Sequence, residues 1–395
     1  MKTRLAFVIQ RYGHEVLGGA ETLARQVAER LTQHFTVEAI TTCALEYTTW
    51  ANHYPPSETT LNGVLVRRFR TDQPRHPQFD RIYAELENNP QRTILDEIEW
   101  MKAQGPYSAD LLRYLHSTAE DYDLLIFVGY LYFHTYFGLQ VAPQHAILLP
   151  TTHDEAPLYY SIFNTVFNLP RGLIFLSHEE QQLARRRFNL PVTLPQAVIG
   201  GGITLPATVD VNAFQQKYDL DFPYLLYAGR IDPSKHCDVL FQWFMRYRQE
   251  HPSDVKLLCS GRLDMPLPSS KDIRYLGMLS EEEKFAAMAG AAVFVMPSPW
   301  ESFSIASLEA WSVGTPVLAN AASAVVRGHC QRSNGGLYYS SYEEFAECLH
   351  VLLVQRDVRD RLGQNGLNYV RSNYLWDIVE RRYINFLRAI TNIIM

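Results

Sequence analysis

Three segments place residues suited to binding anions or hydroxyl groups directly behind short apolar runs. The first is Gly18-Gly19-Ala20-Glu21. Glycines there let backbone approach a ligand closely, and the helix that follows presents free N–H groups and a positive dipole end. Its spacing is neither Gly-x-Gly-x-x-Gly nor a P-loop, so it gives no support to a dinucleotide or ATP site. The second is Ala228-Gly229-Arg230-Ile231-Asp232-Pro233-Ser234-Lys235. A guanidinium at a strand end and an ammonium five residues on, where the next helix begins, make an anion site suited to phosphate oxygens. The plainer alternative is two surface charges, one of them paired with Asp232. The third runs from Pro297 to Glu309, with Glu301 in a loop, a helix starting near Ser304 and Ile305, and Glu309 about two turns along it. Amides at a helix start bind anions, and carboxylates accept hydrogen bonds from vicinal hydroxyls. Taken alone, Glu301 and Glu309 would read as a loop residue and a helix-surface charge.

The elements that must position these segments are legible as alternating apolar runs and helices. The runs are Leu5–Ile9, Val37–Thr41, Val64–Phe69, Leu124–Val128, Ala146–Leu149, Leu173–Leu176 and Ala197–Ile199 in the first half. In the second half they are Tyr224–Ala228, Val255–Cys259, Ile273–Leu276, Ala292–Met296, Pro316–Ala319 and Gly336–Tyr339. Consecutive Val, Ile and Leu suit strands buried on both faces of a parallel sheet. Between them, Ala20, Leu23, Ala24, Val27, Ala28 and Leu31 form one apolar helical stripe. The pattern predicts an α/β chain with a doubly wound fold repeated twice. The domains fall at 1–204, with an excursion over 71–108, and at 223–375, joined by a linker over 205–222. A final helix over 376–395 carries Trp376, Val379, Tyr383, Phe386, Leu387 and Ile390 on one face. All three segments then lie at strand ends where open α/β sheets bind ligands.

Bulk properties exclude several classes. At 395 residues, 47% hydrophobic and 20% charged, the chain exceeds what one core usually serves and leaves little room for extended disorder. A net charge of -6 argues against nucleic acid as a partner. No stretch reads as a signal peptide, and no apolar run approaches the roughly 20 residues of a membrane helix. Five cysteines without paired spacing read as reduced core thiols, which places the protein in the cytoplasm.

In their order and combination, Gly-Gly-Ala-Glu, Gly-Arg-x-x-x-x-Lys and Glu-Ser-Phe-Ser with a second Glu eight residues after the first resemble the retaining nucleotide-sugar glycosyltransferases of the GT-B fold, family 4-like, also called glycosyl transferases group 1. The resemblance covers essentially the whole chain. It implies two Rossmann-like domains facing across a cleft and a nucleotide-sugar donor, a UDP- or GDP-sugar, as substrate, with no cofactor and no metal. Arg230 and Lys235 would hold the donor diphosphate with the Ser304 and Ile305 amides. Glu309 would bind the ribose, Glu301 the hydroxyls of the transferred sugar, and Gly18 and Gly19 would close over the diphosphate from the other domain. His153, in Thr151-Thr152-His153-Asp154, matches the family's histidine near the donor sugar. Transfer would go with retention to a glycan, lipid-linked saccharide or small-molecule acceptor held by the first domain, and the final helix would cross back to that domain. Two departures stand out: the family usually has glycine where this chain has His236 and Ser304.

Competing signals are weaker. Asp121-Tyr122-Asp123 and Asp219-Leu220-Asp221 have the Asp-x-Asp form of a manganese site, yet each precedes an apolar run, at the wrong end of its strand. His14-Glu15 and His178-Glu179 lack the second histidine of a zinc helix. Arg185–Arg187, with Arg67, Arg68 and Arg70, would suit weak peripheral contact with anionic lipid at the inner face of a membrane. A solvated face explains those arginines more simply. A non-catalytic nucleotide-sugar sensor or scaffold, or an epimerase on the same fold, is the alternative to a transferase.

Overall fold

A computed structural model of the chain describes residues 2–16 and 18–392. Each apolar run named above falls on a strand or within a residue or two of one. The first eight strands are β1 (Arg4–Val8), β2 (Thr36–Thr42), β3 (Ser57–Leu61), β4 (Val64–Phe69), β5 (Leu124–Val128), β6 (Ala146–Leu149), β7 (Gly172–Phe175) and β8 (Gln196–Val198). They form one sheet in the order β3-β4-β2-β1-β5-β6-β7-β8, parallel throughout except for the β3–β4 pair. The remaining strands are β9 (Tyr224–Ala228), β10 (Lys256–Ser260), β11 (Ile273–Tyr275), β12 (Val293–Met296), β13 (Val317–Asn320) and β14 (Gly336–Tyr339). These make a second, wholly parallel sheet in the order β11-β10-β9-β12-β13-β14. Every residue of β5, β6, β7 and β12 is buried, as strands covered on both faces must be.

β3 is absent from the sequence reading because its residues, Ser-Glu-Thr-Thr-Leu, are mostly exposed and carry no apolar run. It is the antiparallel edge of a hairpin turning on Asn62 (φ 47°) and Gly63 (φ 85°), the Asn-Gly signal that marks such turns.

The chain divides into two compact units, 1–201 with 380–395, and 202–379. The first unit's core gathers Leu125, Phe127, Leu148 and Phe175 from the sheet with Trp100, Phe163 and Phe167. The segment 71–108, the expected excursion on this unit, contributes to that core. It contains helices Phe79–Glu87 and Ile94–Gln104, the second started by a Thr93–Asp96 capping box, and it buries Leu86, Trp100 and Met101. The second unit's core joins Leu225, Leu257, Val293 and Val295 to Phe241, Phe244, Phe345 and Leu349 from flanking helices.

The division lies at Gly201–Gly202, ahead of the expected 205–222 linker. The reason is local pairing: the Ile203 amide donates to the Tyr374 carbonyl at 2.6 Å, and Trp376 lies where a Gly202 Cβ would be, 2.1 Å from it. Within 205–222 the chain forms the helix Val211–Lys217, its first turn capped by Asp210. The last helix, Trp376–Asn392, belongs to the first unit from Glu380 onward. There the Tyr383 hydroxyl donates to the Gly200 carbonyl (3.1 Å) and Arg171 to the Ile390 carbonyl (3.0 Å).

Candidate active site

In the second unit the strand order is that of a Rossmann sheet, reversing direction between β9 and β12. Ligands of open α/β sheets bind at that reversal, outside the carboxyl ends of the strands. The Arg230–Lys235 segment leaves β9, and the Glu301–Glu309 segment leaves β12.

Behind β9, Asp232 organises the loop. Its carboxylate caps the turn Pro233–Lys235 by accepting the Lys235 amide at 3.0 Å, takes the Ser234 hydroxyl at 2.6 Å, and pairs with the Arg230 guanidinium. Burial would push this carboxyl up; the Ser234 hydroxyl and Arg230 outweigh it and hold it below the usual range. Arg230 also donates to the Ser234 hydroxyl at 3.1 Å. The pairing weighed above as the plainer alternative is thus present, and it fixes the guanidinium at the strand end. His236 follows with φ 56°, ψ 32°, a left-handed conformation, and the helix Cys237–Glu250 starts from it.

Behind β12, Glu301 accepts Lys235 Nζ at 2.7 Å, so one ion pair ties the two segments together. Ser304 is also left-handed (φ 62°, ψ 64°), and its hydroxyl meets that of Ser307 at 2.9 Å. The helix Ile305–Ser312 begins there, and its first amides, Ile305 and Ala306, have no intrahelical acceptor. Glu309 is largely buried and is bound by a residue the sequence reading did not single out, Lys284 of the helix Glu281–Gly290, at 2.8 Å. Burial pushes the Glu309 carboxyl up, and Lys284 opposes the shift.

The first unit carries Gly18, Gly19 and His153, behind β1 and β6. Gly18 is needed for space: its φ of 167° is extended backbone, but a Cβ would lie 2.2 Å from Glu21 Oε2. Nothing crowds Gly19 within 4 Å. Glu21 is buried beneath this turn, paired with Arg11 and accepting Gln10 Nε2 at 2.9 Å. His153 is half-buried, its Nε2 3.3 Å from Glu155 Oε2, and Glu155 in turn accepts the Tyr130 hydroxyl at 2.8 Å. Asp154 accepts the Tyr159 hydroxyl.

Two residues earlier, Thr151 has φ 54°, a costly conformation for a β-branched side chain. What holds it is Glu180, fully buried, which accepts the Thr152 amide at 2.5 Å and the Leu176 amide at 2.6 Å. One carboxylate thereby joins the ends of β6 and β7. Burial pushes its carboxyl up to about 8 against the pull of those two amides and His153. Glu180 and Glu155 both escaped the sequence reading. The nearest signal was the pair His178-Glu179, directly before Glu180, set aside for want of a zinc pattern.

Both Asp-x-Asp pairs precede their strands, β5 and β9. Asp123 accepts the Arg4 amide at 2.7 Å, a structural role. A depression of about 640 Å³ is lined by Asn212, Gln215, Gln216, Asp219, Leu220 and Asp221, and none of the candidate residues behind β1, β6, β9 or β12 lines it.

Comparison with known proteins fixes the class. Two α/β units with parallel sheets are the architecture of the GT-B glycosyltransferases. Sucrose-phosphate synthase of Thermosynechococcus elongatus superimposes with a TM-score of 0.72 at 19% identity, covering 99% of this chain and 100% of that one. The Anabaena protein HepE, solved with UDP and glucose, gives 0.71 at 14% identity over 98% of this chain and all of its own. At those identities the likeness speaks for the fold. Residues 222–355 match the family model Glycosyl transferases group 1. Phosphatidyl-myo-inositol mannosyltransferase of Mycobacterium leprae is 31% identical over 257 residues, 62% of this chain and 67% of its own length. MMP alpha-(1->4)-mannosyltransferase of Mycolicibacterium hassiacum is 30% identical over 190 residues, 44% and 45% of the two lengths. The chain belongs to the glycosyl transferases group 1 family. It spans about half the length of several curated relatives it matches, between 42% and 55% for three of them.

Proposed function

We propose that this protein transfers a sugar from a nucleoside-diphosphate donor, a UDP- or GDP-sugar, to a glycan, lipid-linked or small-molecule hydroxyl, with retention of configuration and without a divalent metal. The observation that carries the reading is the Lys235–Glu301 ion pair, which ties the Arg230–Lys235 segment behind β9 to the segment behind β12 that leads into the helix Ile305–Ser312. A guanidinium, an ammonium and free helix amides suit a diphosphate. As the sugar–phosphate bond breaks, negative charge grows on the departing diphosphate, and these groups would stabilise it where other transferases use a metal. Glu309 would accept from the ribose diol and Glu301 from hydroxyls of the transferred sugar. His153, oriented by Glu155, would hydrogen-bond the reacting sugar, with Gly18 and Gly19 supplying backbone amides. We assign the acceptor to the first unit. Retention is what the family resemblance implies; among the described residues no side chain identifies itself as a covalent nucleophile, so the route we propose for it is attack on the face the phosphate leaves, guided by that phosphate. A relative named for a phosphatidyl-inositol acceptor supports peripheral membrane contact as one form of this reading.

The test is a thermal-shift screen against UDP- and GDP-sugars in EDTA, since a ligand that binds the native state raises its stability. A hit is then followed by proton NMR of the first-formed product or of slow donor hydrolysis. Binding and an unchanged anomer are expected. An inverted anomer refutes retention, and no shift with any nucleotide sugar refutes the donor reading.

A further inference from the structure

Glu309 has an internal partner whose position gives it a task. Lys284 stands on the helix Glu281–Gly290, with Nζ 2.8 Å from Glu309 Oε1 and 3.0 Å from both Glu281 oxygens. The Lys284 and Glu309 side chains are 21% and 15% exposed, whereas Glu281 is 75% exposed, so the inner contact is the shielded one. The other charges nearby are spoken for. Glu283 caps Ser280 and pairs with Lys217, and Glu282 takes the Ser280 hydroxyl. The helix Arg356–Asn373, packed on Ile305–Ser312, presents Gly363 and Gly366 to Gly314 and Trp311. Lys284 is therefore the cation set against Glu309.

We propose that Lys284 is a positioning residue for the nucleotide: it keeps Glu309 ionised and aimed, so that donor binding is indifferent to pH through neutrality. The inference rests on the reading of Glu309 as the acceptor of ribose hydroxyls. A carboxylate can accept from both hydroxyls of a diol, whereas a protonated carboxyl spends one oxygen as a donor. Burial favours the protonated form of Glu309, and the ammonium is what opposes it. Burial likewise works against charge on Lys284, yet Glu309 and Glu281 hold its ammonium above its ordinary range, so the charge persists. Without that charge, the burial of Glu309 would go unopposed, so it would take up a proton at a higher pH than in the wild type, and the nucleotide would meet the wrong form.

The experiment is calorimetric titration of UDP-glucose and GDP-mannose into the full chain between about pH 5.5 and 8.5, a range in which their diphosphates do not titrate. Wild type, Lys284→Met and Lys284→Arg are compared, so histidines common to all three cancel. Wild type and Lys284→Arg should bind with the same shallow pH dependence. Lys284→Met should weaken as pH falls, from a higher pH than wild type and by up to about tenfold per pH unit, as one proton competes with the ligand. Adding Glu309→Gln should flatten that slope, because glutamine has no proton to gain. If Lys284→Met does not fold, Lys284→Gln keeps a hydrogen-bond donor without the charge and carries the same expectation. A neutral variant whose slope matches wild type overturns the inference while leaving the donor reading intact. Failure of wild type to bind either nucleotide sugar overturns the donor reading, and this inference with it.

Discussion

His236→Gly should make the second unit more stable, although it removes a side chain. His236 has φ 56°, ψ 32°, directly between Lys235 and the helix Cys237–Glu250. A residue with a Cβ spends about 1–2 kcal/mol in that conformation, and glycine spends none. Glycine returns about 0.5–1 kcal/mol through the greater freedom of its unfolded state. The imidazole is half-buried and makes no capping hydrogen bond, so little else is lost. The net gain is about 0.5–1 kcal/mol, or about 1–4 °C in the unfolding midpoint of a unit this size. Differential scanning calorimetry of wild type, His236→Gly and His236→Ala separates the causes, because alanine keeps the Cβ and with it the strain. Only the glycine variant should gain. An equal gain in His236→Ala, or a loss in His236→Gly, would refute the strain argument. Ser304→Gly is the internal comparison. It relieves the same backbone but breaks the buried Ser304–Ser307 hydroxyl contact of 2.9 Å. That bond is worth about 0.5–1.5 kcal/mol, so this variant should come out near wild type.

Arg230→Ala should lower turnover by about 10²–10³, the scale on which loss of one preorganised donor is felt, while EDTA costs little. Abolition by EDTA with rescue by manganese, in an enzyme indifferent to Arg230→Ala, would overturn the metal-free mechanism. Glu180→Gln should change how stability depends on pH. With its carboxyl pushed up to about 8, the folded chain keeps a proton that the unfolded chain has lost. This contribution is whole below the ordinary carboxyl range and drains away as pH rises through about 8. Wild type should therefore lose stability between about pH 5 and 8 faster than Glu180→Gln, by up to about 1.4 kcal/mol per pH unit. Equal slopes in urea unfolding would show that Glu180 does not titrate there.

The strands were legible because both sheets bury them on two faces, which leaves runs such as Leu124–Val128 with no polar residue. β3 was not, since an exposed antiparallel edge needs no apolar run; the Asn62-Gly63 turn was the cue. The residues of the candidate site were legible by type and by their place after strands. Their partners were not. Asp232 lies two residues from Arg230 and could be guessed, but Lys284 is 25 residues from Glu309 and Glu180 is 28 from Thr152. No local rule connects such pairs; only the fold brings them together. The unit boundary at Gly202 was hidden for the same reason, because Ile203 pairs with Tyr374 from the far end of the unit.

The backbone at the two proposed phosphate-binding loops is set by contacts rather than by residue preference. In the second unit four non-glycine residues have positive φ: Asp219, His236, Ser304 and Asn334. Asp, Asn and His are the side chains found most often in that region and Ser less so; His236 and Ser304 are the two that adjoin the proposed site. Around His236 the restraint comes from Asp232, which caps the turn, and from Cys237, fully buried at the helix start. Around Ser304 it comes from buried Phe303 on one side and the Ser307 hydroxyl on the other. The charges follow the same logic: Arg230, Lys235 and Lys284 are each matched by a carboxylate of the chain, Asp232, Glu301 and Glu309. Cations held near a helix start, where the dipole already favours negative charge, would otherwise repel it. A diphosphate arriving there need not attract mobile side chains into place. On the proposed reading it would take over donors already held by carboxylates, and in releasing Lys235 it would free Glu301 to accept from sugar hydroxyls. Strain and pairing together thus keep the proposed phosphate-binding groups in position without a ligand, which is what preorganised charge requires.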